Sequence, residues 1–146
     1  MREVTSRSEA RAIAVIVLYQ LFNTERDLST ERALEFALEA ANYPEEPYDK
    51  VTNHYLFELI DGTMSHITEI DEAISHYLID WSLDRLAKVD LTILRLAFYE
   101  TMYVDRDEVP LKVIADEAIE LSKLFSDNTS ARFVGGVLAK VIEQNK

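Results

Sequence analysis

The chain has 146 residues, an apolar fraction of 48%, three Gly, three Pro, no Cys and a formal net charge of −12. That length fits one domain that buries a sizeable core without a disulfide or metal staple. The absent cysteines exclude a disulfide framework, a Cys-based zinc site and a thiol nucleophile.

The longest apolar run, residues 12–19, is eight residues long, against about 20 for a helix that crosses a bilayer. The N-terminus also lacks the charged start, apolar stretch and small-residue cleavage site of a signal peptide, so a cytoplasmic location is expected. The charge is unevenly spread. Residues 1–11 hold three Arg and two Glu, residues 112–146 hold five basic and five acidic groups, and the middle holds seven basic against twenty acidic. Phosphate binding needs cations, so only the two ends offer a basic surface.

Helical periodicity runs along the whole chain. Ser6 and Glu9 have capping-box spacing, and Ala10, Ile13, Ala14, Val17, Leu18 and Leu21 form the apolar stripe of a first helix. Thr30 is placed to cap a second helix with stripe Ala33, Leu34, Ala37, Leu38 and Ala41, which residues 42–47, with two prolines, bring to an end. Residues 48–78 carry a long stripe from Tyr55 to Leu78. Gly62 and a Thr68/Asp71 capping pair divide it into two helices or bend one. Trp81, expected to be buried, and Ser82 lead into a helical turn ending near Lys88.

Asp90 is then expected to cap a helix that turns Leu91, Leu94, Ala97, Phe98 and Met102 inward. Residues 105–108 form a polar turn, and Pro110 opens a helix carrying Ile114, Ala118, Leu121 and Phe125. Residues 126–130 read as a capping loop before a last helix built on Phe133, Val134, Val137, Leu138 and Val141. The fold class is therefore all-α: about seven helices in a compact bundle. N-terminal helices (about 1–43) are divided from a C-terminal helical group (about 47–146) near the Pro44–Pro47 loop.

Chemistry is sparse. None of His54, His66 and His76 lies in a Glu-x-x-His pair, there is no glycine-rich phosphate loop, and no two carboxylates stand out as an acid/base couple. No enzymatic activity, metal or cofactor is expected. Gly135 and Gly136 fall inside a helix pattern, where each costs about 1 kcal/mol relative to Ala. Either another helix approaches closely there, or a ligand or partner reaches the backbone.

Several segments share an order and spacing with a known family. They are Arg11-Ala12 with Val17-Leu18-Tyr19-Gln20; Ile70-Asp71 with Ile74 and Trp81; Val89-Asp90; Ile93-Leu94-Arg95-Leu96-Ala97 with Tyr99-Glu100; Val109-Pro110 with Lys112-Val113-Ile114; Glu117-Ala118-Ile119-Glu120-Leu121 with Lys123 and Phe125; and Phe133-Val134 with Gly136-Val137-Leu138. In this pattern the chain resembles the NusB family of bacterial transcription antitermination factors. The resemblance implies an all-helical bundle of two helical subdomains. It also implies a partner, the small-subunit ribosomal protein NusE, and an RNA ligand, the boxA element of ribosomal RNA leader transcripts, in an antitermination complex with RNA polymerase.

By the same resemblance Phe133 stacks on RNA bases with Arg132, Thr129 and Ser130 beside it, Arg2, Arg7 and Arg11 supply further cations, and Tyr19 and Asp90 meet NusE. The N-terminal cations are interleaved here with Glu3 and Glu9, and Gly135 and Asp116 stand where the family usually carries Asn. The competing expectation is a protein-only module that docks NusE without useful RNA binding, which the net charge favours.

Overall fold

The computed structural model describes residues 2–25, 27–40, 48–51, 53–79 and 82–145. The expected chain break at 42–47, Ala41 and Trp81 lie outside the described residues. The chain divides into two compact units, Met1–Gly62 and Thr63–Lys146.

In the first unit, α1 (Arg7–Phe22) starts at the expected capping box. The Ser6 hydroxyl accepts the Glu9 N–H at 3.1 Å, and Glu9 Oε1 accepts the Ser6 N–H at 3.2 Å. Ala10, Ile13, Ala14, Val17 and Leu18 are buried, as their spacing requires. The second helix, α2 (Thr30–Ala40), begins one residue earlier than expected: Ser29 Oγ, not Thr30, accepts an orphan N–H, that of Arg32, at 3.2 Å. Gln20 Nε2 donates to the Ala33 carbonyl at 3.0 Å and ties α2 to α1.

Two short strands join this unit, β1 (Arg2–Val4) and β2 (Tyr48–Val51), paired in parallel with Val4 opposite Val51. At three and four residues they are too short for alternation to register, and a parallel pair needs the long crossover that α1 and α2 provide. The ribbon continues into α3 (Tyr55–Ser65). Asn53 N–H donates to the Val4 carbonyl, and Asn53 Oδ1 caps the helix by accepting the Tyr55 N–H at 2.9 Å.

The second unit holds α4 (Ile67–Tyr77), a single 3-10 turn at Leu83–Arg85, α5 (Lys88–Tyr103), α6 (Leu111–Phe125) and α7 (Asn128–Gln144). The long stripe is interrupted at His66, which joins α3 to α4 and makes no side-chain cap. The expected Thr68/Asp71 cap is absent: Asp71 instead receives a two-pronged hydrogen bond from Arg95, Nε to Oδ1 at 2.8 Å and Nη2 to Oδ2 at 2.9 Å. That pair fastens α4 to α5 with the geometry at which Arg–carboxylate contacts are strongest.

Helix α5 packs against α4, α6 and α7, and Ile93, Leu94, Leu96 and Phe98 are fully buried along it. Met102, expected inward, is 39% exposed at the far end of the helix. Among the described residues the regular elements are seven α-helices, one 3-10 turn and the β1–β2 ribbon, so the all-α expectation holds.

Candidate nucleic-acid and partner interface

Local rules place the start of α7. Asp127 adopts an extended backbone and its Oδ1 accepts the Ser130 N–H at 2.8 Å, a side-chain N-cap. Residues 128–130, expected in a loop, are therefore the first helical turn, and the Ser130 hydroxyl pairs with that of Ser126 at 2.8 Å.

Helical spacing then divides this turn into two faces. Asn128, Ala131, Arg132 and Gly135 turn toward α6 and, with Ile119 and Lys123, line an open cavity of about 390 Å³. Thr129, Ser130 and Phe133 turn toward the entry of α5 and, with Arg85 and Asp90 among others, line a second cavity of about 330 Å³. Of the four candidate RNA contacts near α7, Arg132 lines the first cavity and Thr129, Ser130 and the half-buried Phe133 line the second, with Arg132 Nη2 3.4 Å from the Thr129 hydroxyl between them.

Asp90 is the unexpected member of the second cavity. The expected N-cap role fails, because α5 begins at Lys88 with Ala87 at the cap position and no side-chain cap bond. Asp90 lies in the first turn, 8% exposed, and its Oδ1 is buried with no hydrogen-bond partner. Burial pushes its carboxyl above the usual range, the Ser130 hydroxyl opposes that, and the neighbouring Asp127 carboxylate adds to it. An acceptor left unsatisfied in this way costs stability in the free protein.

In the first unit, the guanidinium of Arg7 sits 4.5 Å above the Tyr55 ring and that of Arg11 lies 5.8 Å from it. Arg7 remains half-exposed, but Arg11 is 3% exposed and is enclosed rather than on the surface. Tyr55 was not singled out in the sequence, although Arg7 and Arg11, one helical turn apart, were spaced to share a ring. Arg2 falls in β1, and its side chain is outside what is described. Tyr19 is 39% exposed, on the outward side of α1 rather than in the core. Lys123 and Asn128 were likewise not singled out. The signal available for Asn128 was its place on one helix face with Arg132 and Gly135.

His66 stacks on Tyr103 at 4.0 Å between ring centroids, and among the described residues no three His, Asp or Glu side chains are grouped to hold a metal. Among the same residues no helix is long and apolar enough to cross a membrane.

The start of α7 thus separates two surface cavities on an all-helical bundle, one edged by the cations Lys123 and Arg132 and one holding the largely buried Asp90 carboxylate. The chain belongs to the NusB family, whose sequence model matches residues 8–143. It is 43% identical over 138 residues to the transcription antitermination protein NusB of Lysinibacillus sphaericus, covering 94% of this chain and 98% of that one. It is 37% identical over 142 residues to the protein of the same name from Bacillus subtilis, covering 95% and 98%.

Among solved structures it is similar to T. maritima NusB, with a TM-score of 0.76 and 33% identity over 96% of this chain and 92% of that one. It is also similar to a chain in the crystal structure of the antitermination factors NusB and NusE in complex with dsRNA, with a TM-score of 0.73 and 27% identity over 94% and 96%. The family is one of transcription antitermination factors, and the protein is not an enzyme.

Proposed function

We propose that this chain is a transcription antitermination factor that binds the boxA RNA of ribosomal RNA leaders together with NusE, in the cytoplasm, as part of a complex with RNA polymerase. The observation that carries the reading is the family match along residues 8–143, with relatives of the same name matched over nearly their full length. A similar solved chain is in complex with NusE and RNA, which supports the choice of partners.

Phe133 is the stacking residue for a base, with Thr129 and Ser130 beside it on the same cavity wall. Arg132, with Arg7 and Arg2, supplies charge to phosphates. Arg11 acts through Tyr55, which it helps to hold in place. Tyr19 offers an exposed ring and Asp90 an unsatisfied acceptor to NusE.

The test is a titration of boxA RNA and of a scrambled strand, with and without NusE. The expected result is weak binding alone, tightened by NusE and selective for boxA. Equal affinity for both strands with NusE present would overturn RNA recognition. It would leave the protein-only docking module that the net charge of −12 favours.

A further inference from the structure

The cavity between α6 and α7 has a distinct chemistry. Its floor is Ile119, Ala131 and Gly135, and its rim is Lys123, Asn128 and Arg132, so two cations and an amide surround small or apolar groups with no carboxylate in the lining. In a chain with 27 acidic and 15 basic residues, such a setting does not follow from composition.

Of the nearby acids, Glu120 shares Lys123 with the cavity and must give way to a phosphate there, while Asp127 is engaged elsewhere. Glu120 lies 3.6 Å from the Lys123 ammonium in an exposed, solvent-screened pair, and Asp127 is committed to the Ser130 N–H. One guanidinium nitrogen of Arg132 lies 3.4 Å from the Thr129 hydroxyl, a long contact that anchors the side chain over the helix end. Because Asp127 already caps α7, the side chains rather than the helix dipole provide the positive potential. Gly135 keeps the floor open. A Cβ there would come within 3.1 Å of Ile119 Cδ1, so the missing side chain both lets α6 approach and leaves room above it.

We propose that this cavity seats a backbone phosphate of the bound RNA, held jointly by Lys123 and Arg132 with the Asn128 amide as a further donor. The proposal rests on the RNA-binding reading and extends its path around α7. A base stacked on Phe133 lies on one face of the helix's first turns, and the cationic cavity lies on the other face of the same turns. An α-helix is only about 10–12 Å across. A strand crossing the helix end therefore brings the phosphate of a neighbouring nucleotide over the cavity. A shared seat differs from two scattered surface cations in that losing both side chains removes a single phosphate contact.

The experiment measures boxA RNA affinity in the presence of NusE across a salt series, for the parent chain, Lys123→Gln, Arg132→Gln, the double variant and Phe133→Ala. Each cation substitution is expected to weaken RNA binding several-fold and leave NusE pairing unchanged. The double variant should lower the log–log salt slope by about 0.7, the increment for one single-strand phosphate, rather than the roughly 1.4 of two independent contacts. The fold of each variant is checked by circular dichroism.

Unchanged affinity and slope in the double variant, with Phe133→Ala still impaired, overturns the seat and spares the RNA reading. A parent chain with no preference for boxA overturns both. Lost NusE affinity with unchanged RNA affinity would show that the cavity takes an acidic protein surface instead, and would also overturn it.

Discussion

Asp90→Asn is expected to move stability and partner affinity in opposite directions. In the free protein one carboxylate oxygen is buried without a donor, in a cavity shared with Ser130 and Phe133. Leaving such an acceptor unsatisfied costs about 1–3 kcal/mol. Asn keeps the shape and removes the charge, relieving much of that cost. Against this, Asp90 lies in the first turn of α5, where a negative side chain gains about 0.3–1 kcal/mol from the helix dipole. The net expectation is a stabilisation of about 1 kcal/mol, which raises the melting temperature of a chain this size by about 2–4 °C.

Partner binding loses in the same substitution. A donor from NusE placed on a charged acceptor contributes about 1.5–3 kcal/mol, and at about 1.4 kcal/mol per decade the variant should bind NusE about tenfold more weakly or worse. Thermal denaturation followed by circular dichroism gives the first quantity, and calorimetric titration with NusE gives the second. A variant less stable than the parent, or one that binds NusE with undiminished affinity, would refute the reasoning.

Four further outcomes are expected. The same carboxyl makes the stability difference pH-dependent. Its raised native pKa means the folded state binds more protons than the unfolded one, so its contribution falls as pH rises through the native value. The advantage of Asp90→Asn in denaturant titrations should accordingly be largest at neutral pH and disappear below the ordinary Asp value of 3.8. Phe133→Ala should weaken boxA binding by about 1–3 kcal/mol, the contribution of one stacked base, with NusE affinity preserved in the same titration. Phe98→Ala removes a buried ring that meets Tyr77 edge-on, and should cost about 3–5 kcal/mol in chemical denaturation. Asp71→Ala strips Arg95 of its two-pronged acceptor; because both side chains keep some solvent access, the loss should sit near the low end of about 1.5–3 kcal/mol.

The helices were legible because their signals are local. The Ser6/Glu9 box, the stripe through Ala10, Ile13, Val17 and Leu18, and Pro110 ahead of α6 each depend on residues within a turn or two of one another, and the chain folds accordingly. Caps were less secure where several polar residues competed. Ser29 rather than Thr30 caps α2, and Asp71 is drawn away to Arg95, a partner 24 residues distant that no local pattern names. The β1–β2 ribbon was invisible for the same reason, since its strands are too short to show a period and meet only through the crossover between them.

Within the candidate interface, the sequence and the resemblance it carries determined which residue types are present: Phe133, Arg132, Thr129, Ser130 and Asp90, together with Arg7 and Arg11. Tertiary structure decided what each of them faces. Starting α7 at Asn128 sends Arg132 toward α6 and Phe133 toward α5. Starting α5 at Lys88 turns Asp90 from an exposed cap into a buried acceptor, and folding Tyr55 against α1 encloses Arg11 while Arg7 stays partly in solvent. Burial and orientation are sums over neighbours contributed by distant segments. A side chain's chemistry is written at its own position, but its solvent, its partners and its proton affinity are set by whichever helices pack beside it.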